Sequence, residues 1–105
     1  MKRGLHKQLQ AIGNRIKKEY GADRVVLFGS LARGDATEDS DVDLLIVAPT
    51  KERFFERMAT VRRLIRDLRD GLPVSPIVLT PGELEKRRAI GDPFVREILR
   101  TGVSL

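Results

Sequence analysis

Two aspartates one residue apart, Asp41 and Asp43, open the apolar run Leu44-Leu45-Ile46-Val47, and a glycine-serine step, Gly29-Ser30, closes an earlier one, Val25-Val26-Leu27-Phe28. Few folds accept that pairing. Each apolar run is short enough to be a buried strand, and the polar stretch between them forces a turn. Alternate residues of a strand point to the same face, so Asp41 and Asp43 would project together, with Cα atoms roughly 6.5–7 Å apart. Asp is disfavoured in strands, and two like charges on one face repel unless a cation lies between them. The residue types therefore point to a divalent-metal pair. The alternative is an ordinary pair of solvent-facing aspartates at a strand start.

The Gly29-Ser30 step suits a phosphate. Glycine admits close approach to the backbone, and the start of a helical turn offers unpaired N–H groups. The competing reading is a plain strand-to-helix turn, with Ser30 capping one helical turn that ends near Gly34. Arg33 carries a planar fork that fits phosphate oxygens, and equally a salt bridge to Asp35 or Glu38. Asp35, Glu38 and Asp39 read as a solvated loop. Ser40 is placed to brace Asp41 through a local hydrogen bond.

Around this segment the chain reads as one domain, residues 1–105. Leu5, Leu9, Ile12 and Ile16 recur at helical spacing over 5–20, and Gly21 is a C-cap candidate. Strands are expected at 24–28 and 42–48. A long helix is expected over 51–70, with Phe54, Phe55, Met58, Val61, Leu64, Ile65 and Leu68 as its apolar stripe. Residues 74–79 read as a third strand, demoted by Pro76 to an edge or an irregular one. Pro81 opens a short helix near 82–90, and a last helix near 94–101 carries Phe94, Ile98 and Leu99. The fold class is α/β in the α+β sense: a small mixed sheet with helices packed mainly on one face.

Composition removes several functions. There is no cysteine among the 105 residues, so disulfides, thiolate zinc sites and thiol nucleophiles are excluded, and the single histidine, His6, is too isolated for a triad. No signal-peptide pattern and no apolar run of membrane-spanning length is present, so a cytoplasmic chain is expected. The net charge of +5 suggests an anionic partner. Most arginines, however, alternate with acids, as in Arg66-Asp67 and Arg69-Asp70, which is the pattern of a solvated helix face. With one Tyr and no Trp there is no stacking platform for single-stranded nucleic acid.

Gly29-Ser30, Gly34 and Ser40-Asp41-x-Asp43 resemble the signature of minimal nucleotidyltransferase domains in the DNA polymerase beta superfamily. The resemblance is specific over residues 25–47, and the element order extends it over most of the chain. It implies Mg²⁺-dependent transfer of a nucleotide monophosphate from a nucleoside triphosphate, with ATP as the expected donor. It further implies Asp41 and Asp43 as catalytic metal ligands, and nucleotide contacts at Gly29, Ser30, Arg33 and Ser40. Small members of the family often work with an all-helical HEPN partner, including in toxin–antitoxin pairs. A second copy of the chain is the other partner expected, through one of Phe54 and Phe55 or through Phe94, Ile98, Leu99 and Val103. One departure stands out. The family carries a third acid on the next strand, and the matching position falls at or near Ser75; Glu83 and Glu85 lie beyond that strand. A hydroxyl is a poor substitute for a carboxylate as base or Mg²⁺ ligand. A slow enzyme, one completed by its partner or substrate, and a binding-only protein that neutralises a HEPN-type toxin all remain compatible with the residues.

Overall fold

The computed structural model describes residues 3–37 and 39–105. In chain order it contains α1 (Arg3–Glu19), β1 (Arg24–Phe28), the single turn α2 (Ser30–Arg33), β2 (Val42–Val47), α3 (Phe54–Leu64), α4 (Arg66–Arg69), β3 (Val74–Leu79), α5 (Pro81–Ala89), α6 (Pro93–Thr101) and β4 (Val103–Ser104). The four strands form one mixed sheet in the order β3-β2-β1-β4. β1 runs antiparallel to both β2 and β4, and β2 runs parallel to β3.

The sheet separates two apolar clusters, as strand alternation requires. Val25 and Leu27 of β1 and Val42, Leu44 and Ile46 of β2 face α1, α3 and α4, where Leu9, Ile12, Ile16, Val61 and Ile65 complete the larger cluster. Val26, Leu45 and Val47 face the other way, onto Leu84 of α5 and Val95 and Ile98 of α6. The helical cover thus lies mainly on one face, with α5 and α6 closing part of the second. Pro76 sits in β3 at the sheet edge, where its missing N–H interrupts nothing: the ladder to β2 runs on through Pro76 opposite Leu44.

The expected long helix is two. It begins at Phe54 and breaks at Ile65, which is fully buried at φ −108° and ψ 7°. The carbonyls near the break and at the end of α4 are taken up by α1: Arg15 donates to Leu64 O at 2.9 Å, and Gln8 donates to Leu68 O and Arg69 O at 3.0 and 2.6 Å. The apolar stripe is also shorter than the spacing suggests. Phe54 and Phe55 stack edge to face against each other and stay 39% and 78% exposed, outside the core. Of the C-terminal apolar residues, Ile98 is buried while Phe94 and Val103 remain accessible. β4 carries no sequence signal of its own; two residues pair with Val26 and Leu27.

α5 starts on a complete capping box: Glu83 N donates to the Thr80 hydroxyl, and Thr80 N donates to the Glu83 carboxylate. Among the described residues no helix is long and apolar enough to cross a membrane.

Candidate functional site

The antiparallel and parallel registers place Phe28, Asp43 and Ser75 in one row across β1, β2 and β3. Paired residues share a face. Asp41 precedes β2 by one residue and is exposed, whereas Asp43 is half-buried. The Ser75 hydroxyl donates to Asp41 Oδ2 at 3.3 Å, joining the rim of β3 to the first carboxylate. Gly29 closes the row from above: a Cβ at this position would collide with Asp43 Oδ2 and lie 3.2 Å from its Cγ. The absence of a side chain at residue 29 is what makes room for the Asp43 carboxylate. Burial raises the Asp43 pKa above the ordinary carboxylate range, the Asp41 charge raises it further, and Arg33 pulls the other way. A cation between the two carboxylates would relieve that repulsion.

Gly29, not Ser30, holds the N-cap position of α2. Its φ of 77° and ψ of −155° fall in a region open essentially to glycine alone. Ser30 is the first helical residue, and its hydroxyl makes no capping bond, so the expected Ser30 cap does not form. Arg33 Nε pairs with Asp35 Oδ2 at 3.4 Å, with both side chains about half or more exposed. Such a surface pair is weak, and a phosphate competes readily with it. Ser40 does not brace Asp41. Its hydroxyl accepts from Thr37 N at 2.9 Å and lies 3.4 Å from the Thr37 hydroxyl, which tightens the preceding loop. Glu38 lies outside the described residues.

Neither glutamate beyond β3 substitutes for a third acid. Glu83 follows the end of β3 that pairs with Val47, four residues along the sheet from Asp43, or roughly 13 Å. There it accepts from Arg57 Nη1 at 2.6 Å, and Arg57 lowers its pKa. Glu85 pairs with Arg88 on the exposed side of α5. Among the described residues no group of three or more His, Cys, Asp or Glu gathers into a metal cage. The donor set still fits Mg²⁺, which is commonly held by one or two carboxylates with substrate phosphates and water completing the shell. The sequence reading passed over Phe28 as core, yet it stands beside Asp43 and meets Phe94 edge-on, with ring centroids 5.6 Å apart. What places it there is the antiparallel β1–β2 register, which sets the last residue of β1 beside Asp43. A cavity of about 650 Å³ lies elsewhere, between α5 and α6, and includes neither aspartate.

A family model described as a nucleotidyltransferase domain matches residues 9–103. A relative from Methanocaldococcus jannaschii, named a "putative protein adenylyltransferase", is 39% identical over 75 residues, covering 67% of this chain and 51% of the relative. The chain therefore spans about half the length of that relative. Another protein of the same name and organism is 33% identical over 98 residues, covering 91% of this chain and 92% of its own length. A solved structure titled as that of a putative minimal nucleotidyltransferase superposes with a TM-score of 0.66 at 29% identity, over 97% of this chain and 93% of the other.

Proposed function

We propose that this chain, which belongs to the nucleotidyltransferase domain family, transfers a nucleoside monophosphate from ATP to a protein acceptor, with Asp41 and Asp43 holding Mg²⁺. The observation that carries this reading is the packing of Asp43 against Gly29, which joins the carboxylate pair and the glycine turn in one site. The protein acceptor is supported by the names of the relatives. The HEPN-type helical partner implied by the sequence resemblance is the first acceptor to test.

In this reading the triphosphate lies over the backbone of the Gly29-Ser30 turn, beside a Ser30 hydroxyl that has no capping partner. Arg33 exchanges Asp35 for a phosphate oxygen. An acceptor hydroxyl attacks the α-phosphorus and loses its proton to solvent, the bond to the β,γ-diphosphate breaks, and pyrophosphate leaves. Mg²⁺, when bound, would neutralise charge on the phosphate oxygens as that exchange proceeds. Ser75 orients Asp41 through its hydrogen bond but supplies no base near neutral pH.

That last point supports a second reading, a nucleotide-binding protein that acts on a HEPN-type toxin by binding alone. Labelled-ATP transfer with Mg²⁺, with and without the product of the adjacent gene, separates the two. Label on the neighbour's product supports transfer. Complex formation without label supports binding alone.

A further inference from the structure

A cavity of about 190 Å³ opens beside the Gly29 turn. Its walls are Phe28 at the end of β1, Gly29, Arg33, and Phe94, Glu97, Ile98 and Thr101 of α6. It borders β1, whereas Ser75 lies on β3 with β2 between them, so the cavity and Ser75 flank the carboxylates from opposite sides. Phe94 remains 45% exposed, with its ring held edge-on to Phe28 at 88°. An aromatic and aliphatic slot thus opens onto the rim that carries two aspartates.

The volume decides what such a slot can hold. Pockets that enclose a whole small molecule run to roughly 300–1,000 Å³. This one takes a single flat apolar group, and a charged remainder must lie outside it, over Gly29-Ser30. The polar side chains of its wall are already engaged. The Thr101 hydroxyl donates to Glu97 O at 2.8 Å, and the Glu97 carboxylate accepts from Arg100 at 2.9 and 3.1 Å. The faces that a ring would meet in the slot are therefore the apolar ones of Phe28, Phe94 and Ile98.

Resting on the nucleotidyltransferase reading above, we infer that this cavity receives the base of the nucleoside triphosphate, with Phe94 and Phe28 as the aromatic wall and Arg33 at the mouth beside the phosphates. The acceptor then approaches from the Ser75 side. Aromatic contact of this kind accounts for several-fold in affinity and tolerates different bases.

Calorimetric titration in Mg²⁺ of ATP and, separately, inorganic triphosphate tests this with wild type, Phe94→Ala and Thr101→Met. ATP should bind wild type about tenfold tighter than triphosphate. Phe94→Ala should weaken ATP at least about fivefold and leave triphosphate unchanged. Thr101→Met, which adds bulk to a wall residue of the cavity, should do the same. Equal affinity of wild type for ATP and triphosphate, or wild-type ATP affinity in the folded variants, overturns the base subsite and leaves the carboxylate-and-phosphate site standing. Absence of any binding to wild type overturns both. Thermal melts establish folding, and if Phe94→Ala does not fold, Thr101→Met decides.

Discussion

The Ser75 hydroxyl donates to Asp41 Oδ2 across the parallel β2–β3 pair, in the row that also contains Asp43. A side chain at residue 75 is thus the one from β3 that reaches the carboxylate rim. The ladder continues past Pro76 without interruption, so backbone geometry does not prevent a carboxylate from working at this position. Ser75→Asp is expected to melt at lower temperature than wild type without metal, because three like charges then crowd one rim. Mg²⁺ should restore the melting temperature, and transfer to the acceptor should rise by about tenfold or more, toward the contribution of a positioned base. Unchanged transfer with restored stability would show that the third position does not limit the reaction.

Gly29 is a position with no room for a side chain. Gly29→Ala meets both a glycine-only backbone conformation and the Asp43 carboxylate. Together these cost roughly 2–4 kcal/mol, or on the order of 10 °C or more in melting temperature for a domain of this size. ATP binding should be lost with it. Calorimetric melts and titrations measure the two effects separately.

These residues also mark how far the sequence could be read. β1 and β3 carry their boundaries in apolar runs, and β2 ends within one residue of its run. The two aspartates follow from alternation, and Ser75 from counting back from the next turn. What escaped the reading depends on partners far away in the chain. β4 is a strand only because it pairs with Val26 and Leu27. The break at Ile65 is stabilised by Arg15 and Gln8 of α1. Phe54 and Phe55 follow an apolar period, yet both stay exposed. Arg57 has no sequence signal of burial and is 7% exposed.

The burial of Arg57 has a pH consequence. Arg57 donates to Glu52 O at 2.9 Å, Val78 O at 3.2 Å and the Glu83 carboxylate at 2.6 and 3.3 Å. Arg57→Ala orphans those carbonyls and should cost about 2–4 kcal/mol in a urea melt. The Glu83 pKa is lowered from 4.5 in the folded chain, first by its hydrogen bond from Arg57. Its contribution is therefore fully present above pH 4.5 and is lost as pH falls through the lower folded value. The variant should lose that part of the acid dependence; an unaltered acid limb would contradict the assignment.

Asp43 behaves in the opposite sense. Its folded pKa is raised above 3.8, first by burial and then by Asp41. The folded state therefore holds this proton more tightly than the unfolded chain, and the group's contribution to stability falls as pH rises from 3.8 through the folded value. Without metal, Asp43→Asn should melt above wild type at pH 7. Mg²⁺ with ATP should raise the melting temperature of wild type and not that of the variant. A variant that melts below wild type in metal-free buffer would contradict this electrostatic account.

The central claim is that Asp41 and Asp43, set against Gly29, form one Mg²⁺-nucleotide site. Titration of ATP into wild type and Asp41→Asn/Asp43→Asn, with Mg²⁺ and with a chelator, tests it most directly. The double substitution keeps shape and removes the charge that holds a hard cation. Binding by wild type in Mg²⁺, with at least about a hundredfold loss in the variant and loss in chelator, is the expected result. Equal binding by the two proteins, or by wild type with and without Mg²⁺, would contradict the claim.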